Sequence, residues 1–221
     1  MTLNDYASMI PAELLPVNGS ALFSGPASVS EQAEPILMLG ANPGGDPRLP
    51  GHATIAESIQ RMLDYPDNWN EWRDAAWGSA PGRQKNQLRV KHLFNRLGLD
   101  LGRIATSNVV LARSRRLHTL DHDLSFSELG DLTWPMHEAL IENLGVRLVI
   151  CLGGEAGSYV QGKLGAHRVI DEFVENNRRN WRSYVSEAPS GIRVATLTHP
   201  SIAKWDASAT DPSELVARAL N

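Results

Sequence analysis

Four short stretches of this chain carry residue types that could do chemistry. In Gly40-Ala41-Asn42-Pro43-Gly44-Gly45-Asp46, an amide and a carboxylate follow directly on an apolar run, Ile36-Leu37-Met38-Leu39. Ser107-Asn108-Val109-Val110 sets a polar pair inside a second apolar run. An asparagine there costs free energy unless its amide is satisfied, either by neighbouring backbone or by a ligand. Leu152-Gly153-Gly154-Glu155-Ala156 and Thr198-His199-Pro200-Ser201 complete the set. The pattern is that of a polar pocket, with glycines that let the backbone approach a ligand closely.

The elements that must hold these residues follow from hydrophobic patterning. Residues 36–39, closed by glycines and a proline, read as a buried strand running into a tight loop. Residues 104–111 and 146–152 read as buried strands too, and 182–188 and 191–198 as two more, joined at Pro189-Ser190-Gly191. Helical periodicity is expected over 53–63, 87–97, 132–144 and from 153 to about 164. Pro135 fits the third of these helices only in its first turn. A terminal helix begins with Asp211 as cap and Pro212 at its first position.

This alternation predicts an α/β fold with a mainly parallel sheet and helices on both faces. Ligands bind at the carboxyl ends of such strands, and right-handed crossovers bring Asn42, Asn108 and His199 to one edge. The expected organisation is one domain over residues 1–221, with 1–35 as an N-terminal helical and loop extension.

Composition narrows the classes. A hydrophobic fraction of 42% and a charged fraction of 21% are those of an ordinary globular chain. No apolar run approaches the roughly 20 residues that span a bilayer, so no membrane partner is expected. The start of the chain has no basic or apolar leader. The single cysteine, Cys151, excludes a disulfide within the chain and any four-cysteine metal site. The expected setting is a reducing cytoplasm. A net charge of −4 is unusual for a dedicated nucleic-acid binder, although Arg113, Arg115 and Arg116 form a basic cluster after the second strand. His118 and His122 stand four apart beside Asp121 and Asp123, without a third ligand at fixed spacing. Trp69, Trp72 and Trp77 read as satellite core, or as walls of a base pocket.

In order, Gly40-Ala41-Asn42-Pro43-Gly44, Ser107-Asn108-Val109-Val110, Leu152-Gly153-Gly154-Glu155-Ala156 and His199-Pro200-Ser201 resemble the motifs of the uracil-DNA glycosylase superfamily. The first is most similar to the form found in mismatch-specific uracil/thymine glycosylases. The resemblance spans roughly residues 36 to 205, with the identities confined to the motifs.

That resemblance implies a three-layer α/β/α sandwich around a mainly parallel four-stranded central sheet. It implies hydrolysis of the N-glycosidic bond of uracil or another deaminated base flipped out of DNA. A monomer is expected, with no metal or cofactor, since one cysteine cannot hold the iron–sulfur cluster that some branches of that family carry. Asn42 would orient the attacking water and His199 would donate to the departing base, while Gly40, Ala41 and Asn108 would bind the base. Arg113, Arg115, Arg116, Ser201 and Lys204 would contact DNA, with Trp205 as candidate wedge. The chain departs from the pattern after Ser201, where Ile202-Ala203-Lys204-Trp205 replaces the usual proline and apolar wedge. It also lacks an aromatic residue between Arg48 and Ile55 to stack on the base. The alternatives are a non-catalytic reader of bases or damaged DNA with the same fold, and an unrelated α/β hydrolase using Asp46 and His199. No phosphate-binding loop, dinucleotide fingerprint or nucleophile elbow supports the latter.

Overall fold

The structure, a computed structural model, describes residues 1–49, 51–115 and 124–221. Arg116 and the histidine pair at 118 and 122 lie outside the described residues. The chain opens with a short helix α1 (Leu3–Ala7) and runs into strand β1 (Ile36–Gly40), whose residues are all buried. Helices α2 (Ile55–Asp64), α3 (Glu71–Asp74) and α4 (Lys85–Leu97) follow, then strand β2 (Ala105–Asn108). The rest is α5 (Phe126–Asn143), β3 (Leu148–Leu152), α6 (Gly154–Leu164), β4 (Arg168–Val174), β5 (Arg182–Glu187), β6 (Arg193–Leu197) and α7 (Ser213–Leu220).

Among the described residues the strands form one mixed six-stranded sheet in the order β2-β1-β3-β6-β5-β4. The first four are parallel, and β5 runs antiparallel to both β6 and β4. The expected four-stranded sheet is therefore too small by two strands. Each face carries its own core. Leu37, Leu39, Val149 and Cys151 meet Leu140 of α5 and Val160 of α6. Ile36, Met38, Leu148 and Ile150 meet Val90 and Phe94 of α4 and Val216 of α7. Strand residues buried on both faces give the unbroken apolar runs that mark these strands in the sequence. Tyr6, Leu14 and Leu22, from residues 1–35, pack into the first of these cores. No helix among the described residues is long and apolar enough to cross a membrane.

Helix α5 starts six residues earlier than its expected first residue. Ser125, just ahead of Phe126, forms a capping box with Glu128 in the first turn, and Pro135 falls in the helix interior. Lacking an N–H, Pro135 leaves the Asp131 carbonyl without its usual helical donor.

Two residues later, His137 is fully buried against β2. The Ser107 hydroxyl donates to the Ala21 carbonyl (2.5 Å), so the His137 Nε2 proton is directed at the Ser107 oxygen, 3.3 Å away. Burial pushes the imidazole down from 6.5 to about 4. Between those values the unfolded chain holds a proton that the folded chain refuses, so stability is present above pH 6.5 and is lost as pH falls towards 4. The expected loss is about 3 kcal/mol. Urea unfolding at pH 7 and pH 4.5 measures it. The His137→Asn variant, which cannot charge, is expected to lose this part of the acid sensitivity. Parallel pH dependence in variant and wild type would assign it elsewhere.

Candidate functional site

The loops leaving β1 and β2 are joined by a run of hydrogen bonds. Val109 and Val110 donate their backbone N–H groups to the carbonyls of Gly40 and Ala41, both at 2.9 Å, and Ser114 donates to Pro43 at 3.1 Å. Asn42 sits between the two loops. Its Nδ2 contacts the carbonyl and hydroxyl oxygens of Ser114, each at 3.1 Å, and the Pro43 carbonyl at 2.9 Å. Both N–H bonds of the amide are spent on the loops, and Oδ1 takes no part in these contacts. Asn42 can therefore offer a ligand or a water an acceptor, not a donor.

Asn108 closes β2 opposite Gly40 in the parallel register. Its carboxamide lies so close over Gly40 that a Cβ there would stand 2.2 Å from Oδ1. The residue is 4% exposed, and its Nδ2 is buried without a hydrogen-bond partner. Of the two ways to satisfy this amide, neighbouring backbone does not serve for the N–H end. A buried unpaired amide donor costs about 1–3 kcal/mol and is rare enough to need a reason.

The charged residues near this corner are largely committed. Asp46 is buried and accepts from the Arg48 backbone and side chain (both 3.0 Å), with Arg115 at 3.5 Å. The Arg48 hydrogen bonds hold its carboxyl well below the ordinary range, at about 2. It is a fixed anion that braces its own loop, unsuited to act as a base. Arg113 was expected on phosphate, but its guanidinium turns inward beneath the β1 loop and donates to the Gly44 carbonyl. Its Nε is buried without a partner. Arg115 is exposed and free to reach a ligand from its pairing with Asp46.

Glu71 was not singled out in the sequence. Burial raises its pKa, opposed by the Trp77 indole, which donates to it at 3.0 Å, and by the charge of Arg113. Trp72 is core and meets Trp77 edge-on at 5.0 Å, and Trp69 stacks on Tyr65 at 4.4 Å.

His199 stands beyond the end of β6, half-buried, with its ring against Gly153 at the start of α6. Gly153 has φ +102°, a left-handed conformation that favours glycine. The Ser201 N–H donates to His199 Nδ1 at 3.0 Å, and the Ser201 hydroxyl lies 2.7 Å from the same nitrogen. A backbone N–H can only donate, so Nδ1 is the bare nitrogen and the neutral ring carries its proton on Nε2. Burial lowers the His199 pKa, and the charge of Glu155 opposes it. Ser201 thus orients the imidazole.

Trp205 is not a wedge. It is 1% exposed, sits in the second core with Ala203 and Leu215, and donates its indole N–H to the Thr198 carbonyl at 3.0 Å. Its large apolar ring is better buried than presented to water. The exposed apolar side chain of this loop is Ile202, at 51%, and Lys204 is exposed beside it.

Parallel pairing places the ends of β2, β1, β3 and β6 on one sheet edge. Gly40, Ala41, Asn42 and Asn108 form one group there, and His199 with Ser201 a second. With β3 between them, β1 lies about 10 Å and β2 about 14 Å from β6. A cleft of about 300 Å³ opens beside His199, and none of its lining residues comes from β1, β2 or their loops. No cluster of potential metal ligands exists among the described residues, and burial pushes the Cys151 thiol far up, leaving it inert. Set against known proteins, the chain matches no family model and no curated protein.

Proposed function

We propose that this chain is a DNA glycosylase that hydrolyses the N-glycosidic bond of uracil or another deaminated base flipped out of DNA. The parallel strands β2-β1-β3-β6, with helices on both faces, are read as a uracil-DNA glycosylase-like core to which β5 and β4 are added. The observation that carries the reading is Asn108: a buried carboxamide with an unpaired N–H, laid over a glycine at the carboxyl edge of the sheet. A base edge presenting a carbonyl oxygen would satisfy it.

In this reading the C1′–N bond lengthens first, leaving a cation-like sugar and an anionic base. The neutral His199 Nε2–H donates to the base oxygen on which that charge collects, a fixed donor of the kind that contributes most to such reactions. Asn42 Oδ1 accepts from a water whose oxygen bonds to C1′. The water's proton ends on the departing base or in solvent, giving free base and an abasic sugar. An amide hardly deprotonates water, so a slow enzyme is expected. Arg115, Ser201 and Lys204 lie on loops at the same edge, suited to the phosphates on either side.

The test is incubation with oligonucleotides bearing uracil, hypoxanthine, xanthine or a mispaired thymine, followed by alkaline cleavage. Strand scission at one of these bases is the expected result. A base-reading module without catalysis is the second reading, favoured by the separation of about 10–14 Å between the strands carrying Asn42 and Asn108 and the strand that leads to His199. It would bind the lesion and give no abasic product with any base.

A further inference from the structure

The β4–β5 hairpin has no part in the proposed reaction, yet Trp181, Arg182 and Tyr184 form one wall of the cleft beside His199. Glu155 from the first turn of α6 and the exposed Ile202 complete it. Trp181 belongs to neither core cluster. The Arg179 guanidinium lies 4.0 Å from the centre of its ring, which fixes one face. The same guanidinium pairs with the buried Glu175 at 3.1 Å and donates to the Ile202 carbonyl at 2.7 Å. One arginine thus couples the aromatic wall to the loop that follows His199.

We infer that this cleft is a second nucleic-acid subsite, which takes the unpaired base next to the excised one in a DNA strand and stacks it on Trp181. The inference rests on the excision reading for the identity of the strand. An aromatic ring backed by a cation is a sequence-tolerant platform for a nucleobase. Glu155 repels phosphate, so an uncharged ring belongs inside the cleft and the backbone belongs outside it, within reach of the exposed Arg182, which pairs with Glu172 across the surface. His199 lines the cleft, so its occupant lies against the group that would meet the excised base. That position makes it the adjoining nucleotide. A base still paired in a duplex could not enter.

The test measures affinity by fluorescence anisotropy, using single-stranded oligonucleotides with one uracil and either a normal or an abasic neighbour on each side in turn. Removing one neighbouring base is expected to weaken wild-type binding by roughly 5- to 150-fold. Trp181→Ala should weaken binding to the intact strand by a similar factor and no longer register the missing base. Trp181→Phe should retain most of the effect, which guards against simple misfolding. If wild-type affinity is unchanged whichever neighbour is removed, or Trp181→Ala still registers the missing base, the subsite is refuted whatever the excision assay shows. If the coupling is present and no abasic product forms, the subsite stands and the excision reading fails. If no strand binds, both fall.

Discussion

His199→Ala is expected to lower the single-turnover rate of base release by about 10²–10³-fold while leaving DNA affinity close to wild type. The expectation follows from where the proton sits. Ser201 donates to Nδ1 through its backbone at 3.0 Å, so Nε2–H is fixed as a donor before any ligand arrives. Such a donor acts on charge that exists only as the glycosidic bond breaks, and its loss therefore appears in rate, not in binding. His199→Gln, which keeps a donor on a flexible chain, should recover part of the rate. Equal losses of affinity and rate would indicate a ground-state contact and favour the non-catalytic reader.

The pH profile gives the sign. Burial places the His199 pKa below 6.5, so the neutral form persists from neutral pH into mild acid. Further protonation must occur at Nδ1, where it would set two N–H groups against each other at Ser201. The rate should therefore fall in acid, along a limb centred below pH 6.5. Glu155→Gln removes the charge that favours the imidazolium and should move that limb to still lower pH. A rate that rises as pH falls would make the imidazolium the working form.

How far the sequence could be read depends on what each residue faces. Strands β1 and β3 are legible because both their faces are covered, which writes an unbroken apolar run into the chain. Strand β4 is illegible for the opposite reason. It is an outer strand, mostly exposed, with a bulge between Val169 and Asp171 that breaks any alternation. The capping box of Ser125 and Glu128 is local and could be read, but Pro135 points to a later start. At the site, the unsatisfied amide of Asn108 is foreshadowed by its apolar neighbours. Three other outcomes rest on partners far along the chain. Arg113 turns inward for the Gly44 carbonyl, 69 residues away, and His137 meets Ser107 across 30 residues. Trp205 is drawn into the core that α4 and α7 form against one face of the sheet, which leaves Ile202 exposed instead. Side-chain type limits what each can do, and only packing decides which way it points.

Gly40→Ala is the smallest change expected to disable the site. The new methyl would stand 2.2 Å from Asn108 Oδ1, whereas an ordinary carbon–oxygen contact needs about 3.3 Å. The carboxamide must therefore move by about 1 Å, a misplacement that can cost about 10²-fold in rate. Overpacking of this kind costs about 1–3 kcal/mol of stability, so thermal unfolding should show a modest loss with the fold retained. A rate lost only through wholesale unfolding would remove the variant's meaning, and a double-mutant cycle separates the cases. Asn108→Ala removes the atom with which the methyl collides. If Gly40 acts by making room for Asn108, adding Gly40→Ala to Asn108→Ala should cost almost nothing further in rate or in stability. Additive losses would instead mean that Gly40 serves through its own backbone, close against the ligand, and that Asn108 is not what the glycine protects.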